Sequence, residues 1–312
     1  MELCSIVVPC YNEEECIPLF FEKVEMVVAE IPELLFEYIF VNDGSKDKTA
    51  EILRELSQGY EHVHYISFSR NFGKEAAMYA GMKEAKGDYV VIMDADLQDP
   101  PELLPQMYEA IKKEGFDCVA TRRVNRKGEP IIRSFFAKMF YLVMKKMARI
   151  DMVDGARDYR FMKRVMVDAI LSMNEYNRFS KGIFGWVGFE TKWIPFQNSK
   201  RIAGKTKWSF FSLFRYSLEG MVAFSTAPLV WSSFIGLAFC GIAFFAVCVL
   251  FVRALVFGDP VAGWPSLACI ITFFAGLQLF CSGIIGMYLA KAYLEVKGRP
   301  IYIVKEKDEK LE

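Results

Sequence analysis

The chain has 312 residues, with 38 Lys and Arg balanced by 38 Asp and Glu for a formal net charge of zero. That balance excludes a globally basic nucleic-acid binder. Hydrophobic residues reach 53% and mean hydropathy is +0.20, and the excess is concentrated near 229–257 and 266–290, each long enough to cross a bilayer as a helix.

In chain order, Leu3–Val8 reads as a strand, and Pro9-Cys10-Tyr11-Asn12-Glu13-Glu14 as the turn into a helix reaching about Ala29. Only a short apolar run precedes Glu13-Glu14-Glu15, so no signal peptide is expected. A second strand, Tyr38–Val41, ends in Asn42-Asp43-Gly44-Ser45-Lys46-Asp47-Lys48-Thr49, which offers helix-capping side chains and a glycine for tight backbone. The third strand, His62–Ser67, leads into Arg70-Asn71-Phe72-Gly73-Lys74 and a helix to Ala85. The fourth, within Gly87–Ile92, is apolar and rich in β-branched residues, as in a buried parallel strand. Strands alternating with helices of this length predict an α/β fold with a doubly wound, mostly parallel sheet, whose ligand crevice lies at the C-terminal strand ends. Four polar loops fall there: 9–14, 43–47, 70–74 and 94–102.

The last of these carries Asp94-Ala95-Asp96-Leu97-Gln98-Asp99-Pro100-Pro101. Carboxylates two apart diverge along a strand, but where the backbone turns they can meet on one hard cation, and oxygen ligands suit Mg²⁺ or Mn²⁺. Taken alone, the pair reads more readily as a solvated loop capping the helix that Pro100-Pro101 begins, and the surroundings must shift that reading. Eight cysteines show no CxxC pair or metal-finger spacing and are expected to be reduced packing residues.

After Asp117–Thr121 comes the basic stretch Arg122–Lys127, then Ile131–Ile150, with apolar positions at helical spacing and Arg133, Lys138, Lys145, Lys146 and Arg149 interleaved. That pattern fits either a helix on the domain's own core or one lying in a membrane interface. Trp208–Ser225 is a second interfacial candidate. Lys205, Lys207 and Arg215 precede the first apolar span and Lys291, Lys297 and Arg299 follow the second, whereas 258–265 has no Lys or Arg. The positive-inside rule then places the large domain and both termini in the cytoplasm, on a multi-pass anchor in the inner (plasma) membrane. Arg253 dissents mildly and would snorkel to the far interface. The expected division is a catalytic domain over 1–205, a juxtamembrane helix over 206–228, transmembrane helices over 229–257 and 266–290, and a cytoplasmic strand and tail over 291–312.

Val8-Pro9-x-Tyr11-Asn12-Glu13-Glu14, Asn42-Asp43-Gly44-Ser45-x-Asp47-x-Thr49, Arg70-Asn71-Phe72-Gly73-Lys74 and Asp94-x-Asp96-Leu97-Gln98-Asp99-Pro100-Pro101, in this order, resemble glycosyltransferase family 2, and within it the polyprenyl-phosphate glycosyltransferases similar to dolichol-phosphate mannose and glucose synthases. The resemblance implies a GT-A nucleotide-sugar fold followed by interfacial helices and a two-helix transmembrane hairpin. It implies that Pro9, Tyr11, Glu13, Asp43 and Ser45 surround the nucleotide, with Asp43 accepting from uracil, that Lys74 approaches the diphosphate, and that Asp94, Asp96 and Gln98 hold Mg²⁺ or Mn²⁺. Val153–Arg160 resembles the family's Gly-Asp-Phe-Arg segment, with Asp158 at the position of the proposed base and Arg157 where Gly is usual. A lipid phosphate is mostly ionised at neutral pH, so Asp158 is expected to orient the acceptor at least as much as to take its proton. Arg122, Arg133, Lys138, Arg160, Arg201 and Lys207 are the candidates for the acceptor phosphate, and Asn177-Arg178-Phe179 matches a further family segment.

The expected reaction is an inverting, metal-dependent transfer of one sugar from a UDP-sugar such as UDP-glucose to polyprenyl phosphate at the cytoplasmic face. The alternatives are a GDP-mannose-dependent mannose synthase, a processive polysaccharide synthase (whose Gln-x-x-Arg-Trp is absent) and a non-catalytic sugar-nucleotide sensor. The expected partners are the donor, the lipid phosphate and the bilayer, with no nucleic acid; Gly236, Gly241, Gly276, Gly283 and Gly286 would also let protomers pack, as in a tetramer.

Overall fold

A computed structural model of the chain describes residues 1–124, 153, 155–196, 227–257 and 263–311. The interfacial helices expected near 131–150 and 208–225 lie outside the described residues, apart from 153 and 227 onward at their margins, and Arg133, Lys138, Arg201 and Lys207 lie outside them as well.

The chain divides into two compact units, 1–217 with 299–312, and 218–298. In the first, β1 (Glu2–Cys10), β2 (Leu34–Asn42), β3 (Val63–Phe68), β4 (Tyr89–Ile92), β5 (Cys118–Arg123), β6 (Ala156–Lys163), β7 (Thr191–Phe196) and β8 (Val304–Lys307) form one sheet in the order β7-β5-β6-β4-β1-β2-β3-β8. Strands β4, β1, β2 and β3 run parallel, as expected of a doubly wound sheet. The remainder corrects that picture, because β6 is antiparallel to both β4 and β5, and β8 is antiparallel to β3. The sheet is therefore mixed.

β1 is buried on both faces, as a central strand must be. One face of it, Cys4, Ile6, Val8 and Cys10, joins a core with Ile17, Phe20, Phe21 and Val24 of α1 (Cys16–Val28). Their spacing is the 3-4 pattern of an amphipathic helix, and each large side chain buried there contributes about 1.5–3 kcal/mol. α2 (Thr49–Gly59) packs beside β3, and α4 (Leu104–Glu114) adds Leu104, Met107 and Ile111 to the same core. α3 (Lys74–Glu84) lies on the other face, close enough that a Cβ on Gly81 would stand 2.3 Å from Val7 Cγ1. Gly81 thus sets how near α3 comes to β1, and even Gly81→Ala would push them apart. α5 (Arg164–Leu171) and α6 (Ser180–Trp186) complete the unit.

The terminal strand expected within 291–312 falls at Val304–Lys307, beyond Pro300, which has no N–H to donate. Arg54 Nε and Nη2 donate to Glu306 at 2.6 and 2.9 Å, Tyr65 Oη donates to the same carboxylate, and Ser57 Oγ donates to Asp308. These bonds fasten the tail to the edge of the sheet.

In the second unit, α7 (Ala227–Phe257) and α8 (Trp264–Val296) pack together, with the Phe239 ring 5.4 Å from Phe273 and 6.0 Å from Phe274. Among the described residues, Phe273–Val296 is long and apolar enough to cross a membrane by length and composition, and Pro228–Phe239 is a shorter apolar stretch.

Candidate active site

The four polar loops come together at the C-terminal ends of β1, β2, β3 and β4, tied by specific hydrogen bonds. The backbone N–H groups of Asn12, Glu13 and Glu14 donate to Ser45 Oγ, Thr49 Oγ1 and Asp47 Oδ2, while Asn12 Oδ1 accepts from Lys46 N–H. Asn12 holds φ of 52°, a left-handed conformation that asparagine tolerates better than most residues. The Asp43 carboxylate is buried and accepts Phe72 N–H at 2.6 Å and Gly73 N–H at 2.9 Å. Burial raises the Asp43 pKa, and those two bonds and Arg70 oppose the rise. Gly44, at φ +64°, lies so close to the next loop that a Cβ would be 2.4 Å from the Arg70 carbonyl carbon. Asp43 and Ser45, both expected around a nucleotide, thus also build the loops that would surround it. Pro9 pairs with Val41 in the β1–β2 ladder, and Tyr11 is partly exposed in the turn beyond it.

The acidic loop meets a lysine. Lys74 Nζ stands 2.6 Å from Asp94 Oδ1 and 2.7 Å from Asp158 Oδ2, so carboxylates from the end of β4 and the start of β6 converge on one cation. Burial alone would raise the Asp158 pKa, but Lys74, Lys181 and Arg157 hold it well below the usual carboxylate range. Burial would lower the Lys74 pKa, and Asp158 and Asp94 outweigh that and hold it above the usual lysine range. The backbone between the acids is unusual: Leu97 has φ of 54° with its side chain buried, and Gln98 N–H donates to Asp96 Oδ1 at 3.1 Å. A non-glycine residue in that region costs about 1–3 kcal/mol and persists where the surroundings impose it. The turn keeps Asp96 near the end of β4; for Gln98, the described bond comes from its backbone.

Asp99 is 1% exposed and accepts from Arg157 Nε at 2.8 Å, which ties the acidic loop to β6. Burial raises the Asp99 pKa to about 6, against the lowering effect of Arg157. The sequence singled out Arg157 only as a departure from Gly; the pairing needed the β4–β6 register to be known.

Of the acceptor-phosphate candidates, Arg122 is exposed at the end of β5, where it pairs with Ala156. Arg160, two residues beyond Asp158 on β6, is buried between the Phe184 and Trp193 rings. Arg178 is buried, donates to the Ile170 carbonyl in the last turn of α5 and to the Met173 carbonyl just beyond it, and lies over the Tyr79 ring. Its guanidinium closes a helix C-terminus. Lys181, near Asp158, was missed; a lone Lys one turn after Arg178 carries no signal in the sequence. Glu75 of α3 accepts from Ser180 N–H and Oγ, which anchors α6 beside this site.

Residues 5–171 match the family described as glycosyl transferase family 2. The chain is 40% identical to the bactoprenol glucosyl transferase of Shigella phage SfII over 303 residues, 97% of each protein. It is 38% identical over 301 residues, 96% of this chain and 98% of the relative, to the prophage bactoprenol glucosyl transferase homolog of Escherichia coli K12. Among solved structures, glucosyl-3-phosphoglycerate synthase from Mycobacterium tuberculosis in complex with Mn²⁺ and UDP-glucose aligns with 71% of this chain and 77% of its own, at 17% identity and a TM-score of 0.48.

Proposed function

This chain belongs to glycosyl transferase family 2 and is a glycosyltransferase; from that premise we propose that it transfers a single sugar, with inversion, from a UDP-sugar, UDP-glucose foremost, to a polyprenyl phosphate such as undecaprenyl phosphate. The relatives named as bactoprenol glucosyl transferases, similar over nearly the whole chain, support the glucose and the lipid acceptor. The observation that carries the reading is the convergence of Asp94 and Asp158 on Lys74 Nζ within a crevice formed by the Asn12, Asp43 and Phe72 loops.

The donor set suits a divalent ion. A cation already sits between two carboxylates, in the form of an ammonium group, and all the donors are hard oxygens. No group of three metal-binding side chains converges among the described residues. Asp94 and Asp96 would hold Mg²⁺ or Mn²⁺, ions commonly bound through one or two carboxylates. When bound, the ion supplies positive charge against the departing diphosphate.

The chain's own residues do the rest. The loops that Asp43 and Asn12 fasten would hold the nucleotide in one orientation, and Lys74 would move from the carboxylates onto the diphosphate. An acceptor phosphate oxygen attacks the anomeric carbon, a new C–O bond forms and the bond to the diphosphate breaks. The nucleophile arrives ionised, since a phosphate monoester has a second pKa of about 6. Asp158 stays a carboxylate and opposes the positive charge that develops at the anomeric carbon.

In this reading, α7 and α8 form a two-helix membrane anchor that leaves the large domain at the cytoplasmic face, where the lipid phosphate is reached. The test is transfer of labelled glucose from UDP-glucose to undecaprenyl phosphate in detergent, with GDP-mannose and other UDP-sugars run alongside. Asp94→Ala and Asp96→Ala should each abolish labelling of the lipid, as should a chelator, with activity restored by Mg²⁺ or Mn²⁺. Full activity in both variants sinks the metal assignment. Long glycans instead of one sugar per lipid sink the single-transfer reading.

A further inference from the structure

A cavity of about 270 Å³ lies next to Asp158, lined by Ala156 and Arg160 of β6, Trp193 of β7, Lys181 and Phe184 of α6, and Phe189 beyond it. Its peculiarity is Arg160. The residue is 3% exposed, with its guanidinium carbon 4.2 Å from the Phe184 ring centre and 5.1 Å from that of Trp193. Its Nε has no hydrogen-bond partner. Among the described residues, no carboxylate lies within ion-pair distance of it. Aromatic faces attract a cation but do not neutralise it. Burial of an uncompensated charge is among the most costly features a fold carries, and an unused donor adds to that cost.

Such a feature is explained by an anion that completes it. The cavity brings a second cation, Lys181, to the same wall, and two cations match a dianion better than a carboxylate. Guanidinium donors form a rigid fork suited to phosphate oxygens. The volume is below the roughly 300–1,000 Å³ usual for pockets that enclose a drug-sized ligand, so it holds a phosphate and a few carbons rather than a nucleotide sugar.

We propose that this cavity is a phosphate-monoester site in which Arg160 and Lys181 hold the anion and Phe184, Phe189 and Trp193 flank the carbons bonded to it. Identifying that phosphate with the acceptor's rests on the lipid-phosphate reading above, whereas the anion site does not. Ala156 and Arg160, which line the cavity, flank Asp158 at alternate positions of β6, so the anion would lie on the same face of that strand as the carboxylate that meets Lys74.

The experiment is isothermal titration of the full chain in detergent with three probes: citronellyl phosphate, citronellol and inorganic phosphate. Citronellyl phosphate should bind and citronellol should not. Lys181→Ala should weaken citronellyl phosphate by about tenfold or more, the usual worth of a charge-assisted hydrogen bond, with UDP affinity unchanged. Arg160→Lys, which keeps the charge and loses the fork, should also weaken it; Lys181→Ala decides the matter if the buried position does not tolerate change. Inorganic phosphate binding as well as the ester, with the same sensitivity to Lys181→Ala, identifies a site for the free anion; binding of the ester alone identifies the lipid acceptor. Equal citronellyl phosphate affinity in wild type and Lys181→Ala overturns the site, as does absence of any phosphate binding to the wild type. A merely structural role for Arg160 predicts a lower melting temperature with unchanged affinity. Phosphate binding without transfer to any lipid phosphate would defeat the functional reading and leave the site standing. Normal transfer with an unchanged acceptor KM in Lys181→Ala would leave the functional reading standing and defeat the identification of this phosphate with the acceptor's.

Discussion

Replacing Lys74 by Met removes the ammonium that stands 2.6 Å from Asp94 and 2.7 Å from Asp158 and keeps a side chain of similar length. The Lys74 side chain is 40% exposed, so each pair is screened and contributes about 0.2–1 kcal/mol. The two together amount to about 0.4–2 kcal/mol, or roughly 1–8 °C in melting temperature for a domain of this size. The pH dependence has a definite sign at both ends. Asp158 is held below its ordinary range, so its share is complete above the unfolded pKa of about 3.9 and is lost as pH falls toward the folded value. Lys74 is held above its range, so its share is complete below about pH 10.4 and is lost as pH rises further. The gap between wild type and Lys74→Met is therefore flat from about pH 5 to 9 and narrows below about pH 4. Without the ammonium, the carboxylates are also open to a metal ion. Mn²⁺ alone should then raise the melting temperature of the variant more than that of the wild type, a tenfold gain in affinity adding about 1.4 kcal/mol at saturation. Differential scanning fluorimetry of the detergent-solubilised chain from pH 3 to 9, with and without Mn²⁺ and without donor, measures all of this. Equal Mn²⁺ shifts in the two proteins, or a gap that does not narrow in acid, would refute the reasoning.

Asp43→Asn turns one acceptor into a donor and leaves either Phe72 N–H or Gly73 N–H unpaired, so a loss of about 1–3 kcal/mol is expected, with weaker UDP binding by calorimetry. Gly44→Ala meets both a φ of +64° and a contact of 2.4 Å with Arg70, so at least about 1–2 kcal/mol is lost, and UDP binding should fall while the circular dichroism of the sheet is kept. Arg157→Ala strands the buried Asp99 carboxylate; chemical unfolding should show a loss of about 3 kcal/mol or more, and adding Asp99→Asn should recover part of it, which a merely volumetric effect of Arg157 would not allow.

The parallel half of the sheet was legible because its strands are continuous apolar runs, and its crevice because Asp43, Asp94 and their neighbours close each strand with turn-forming polar residues. The mixed half was not. β6 is the segment Ala-Arg-Asp-Tyr-Arg-Phe-Met-Lys, four of its eight residues charged, and neither its direction nor its place between β4 and β5 follows from local pattern. That placement is what brings Asp158 to Asp94, Arg157 to Asp99 and Arg160 to Trp193, contacts separated by tens of residues in the chain. The strain at Asn12 and Leu97 was equally invisible, since neither residue type announces a positive φ as glycine does. Arg178, which matched a family segment in the sequence, gives its donors to the Ile170 and Met173 carbonyls at the end of α5, a contact that the segment itself does not announce.

Asp158 itself is where sequence and structure bear on one another most directly. A carboxylate held below its ordinary pKa by Lys74, Lys181 and Arg157 is a poor proton acceptor near neutrality. A phosphate nucleophile asks for none, because it has already ionised above its own pKa of about 6. The two facts together predict that the acid limb of kcat/KM reports the lipid phosphate, with an inflection at about pH 6. In Asp158→Asn the rate should fall, since the charge opposite the anomeric carbon is gone, while the limb stays where it was. If the limb instead vanishes or moves by a unit or more in that variant, Asp158 is the titrating base, and the electrostatic role argued for it fails.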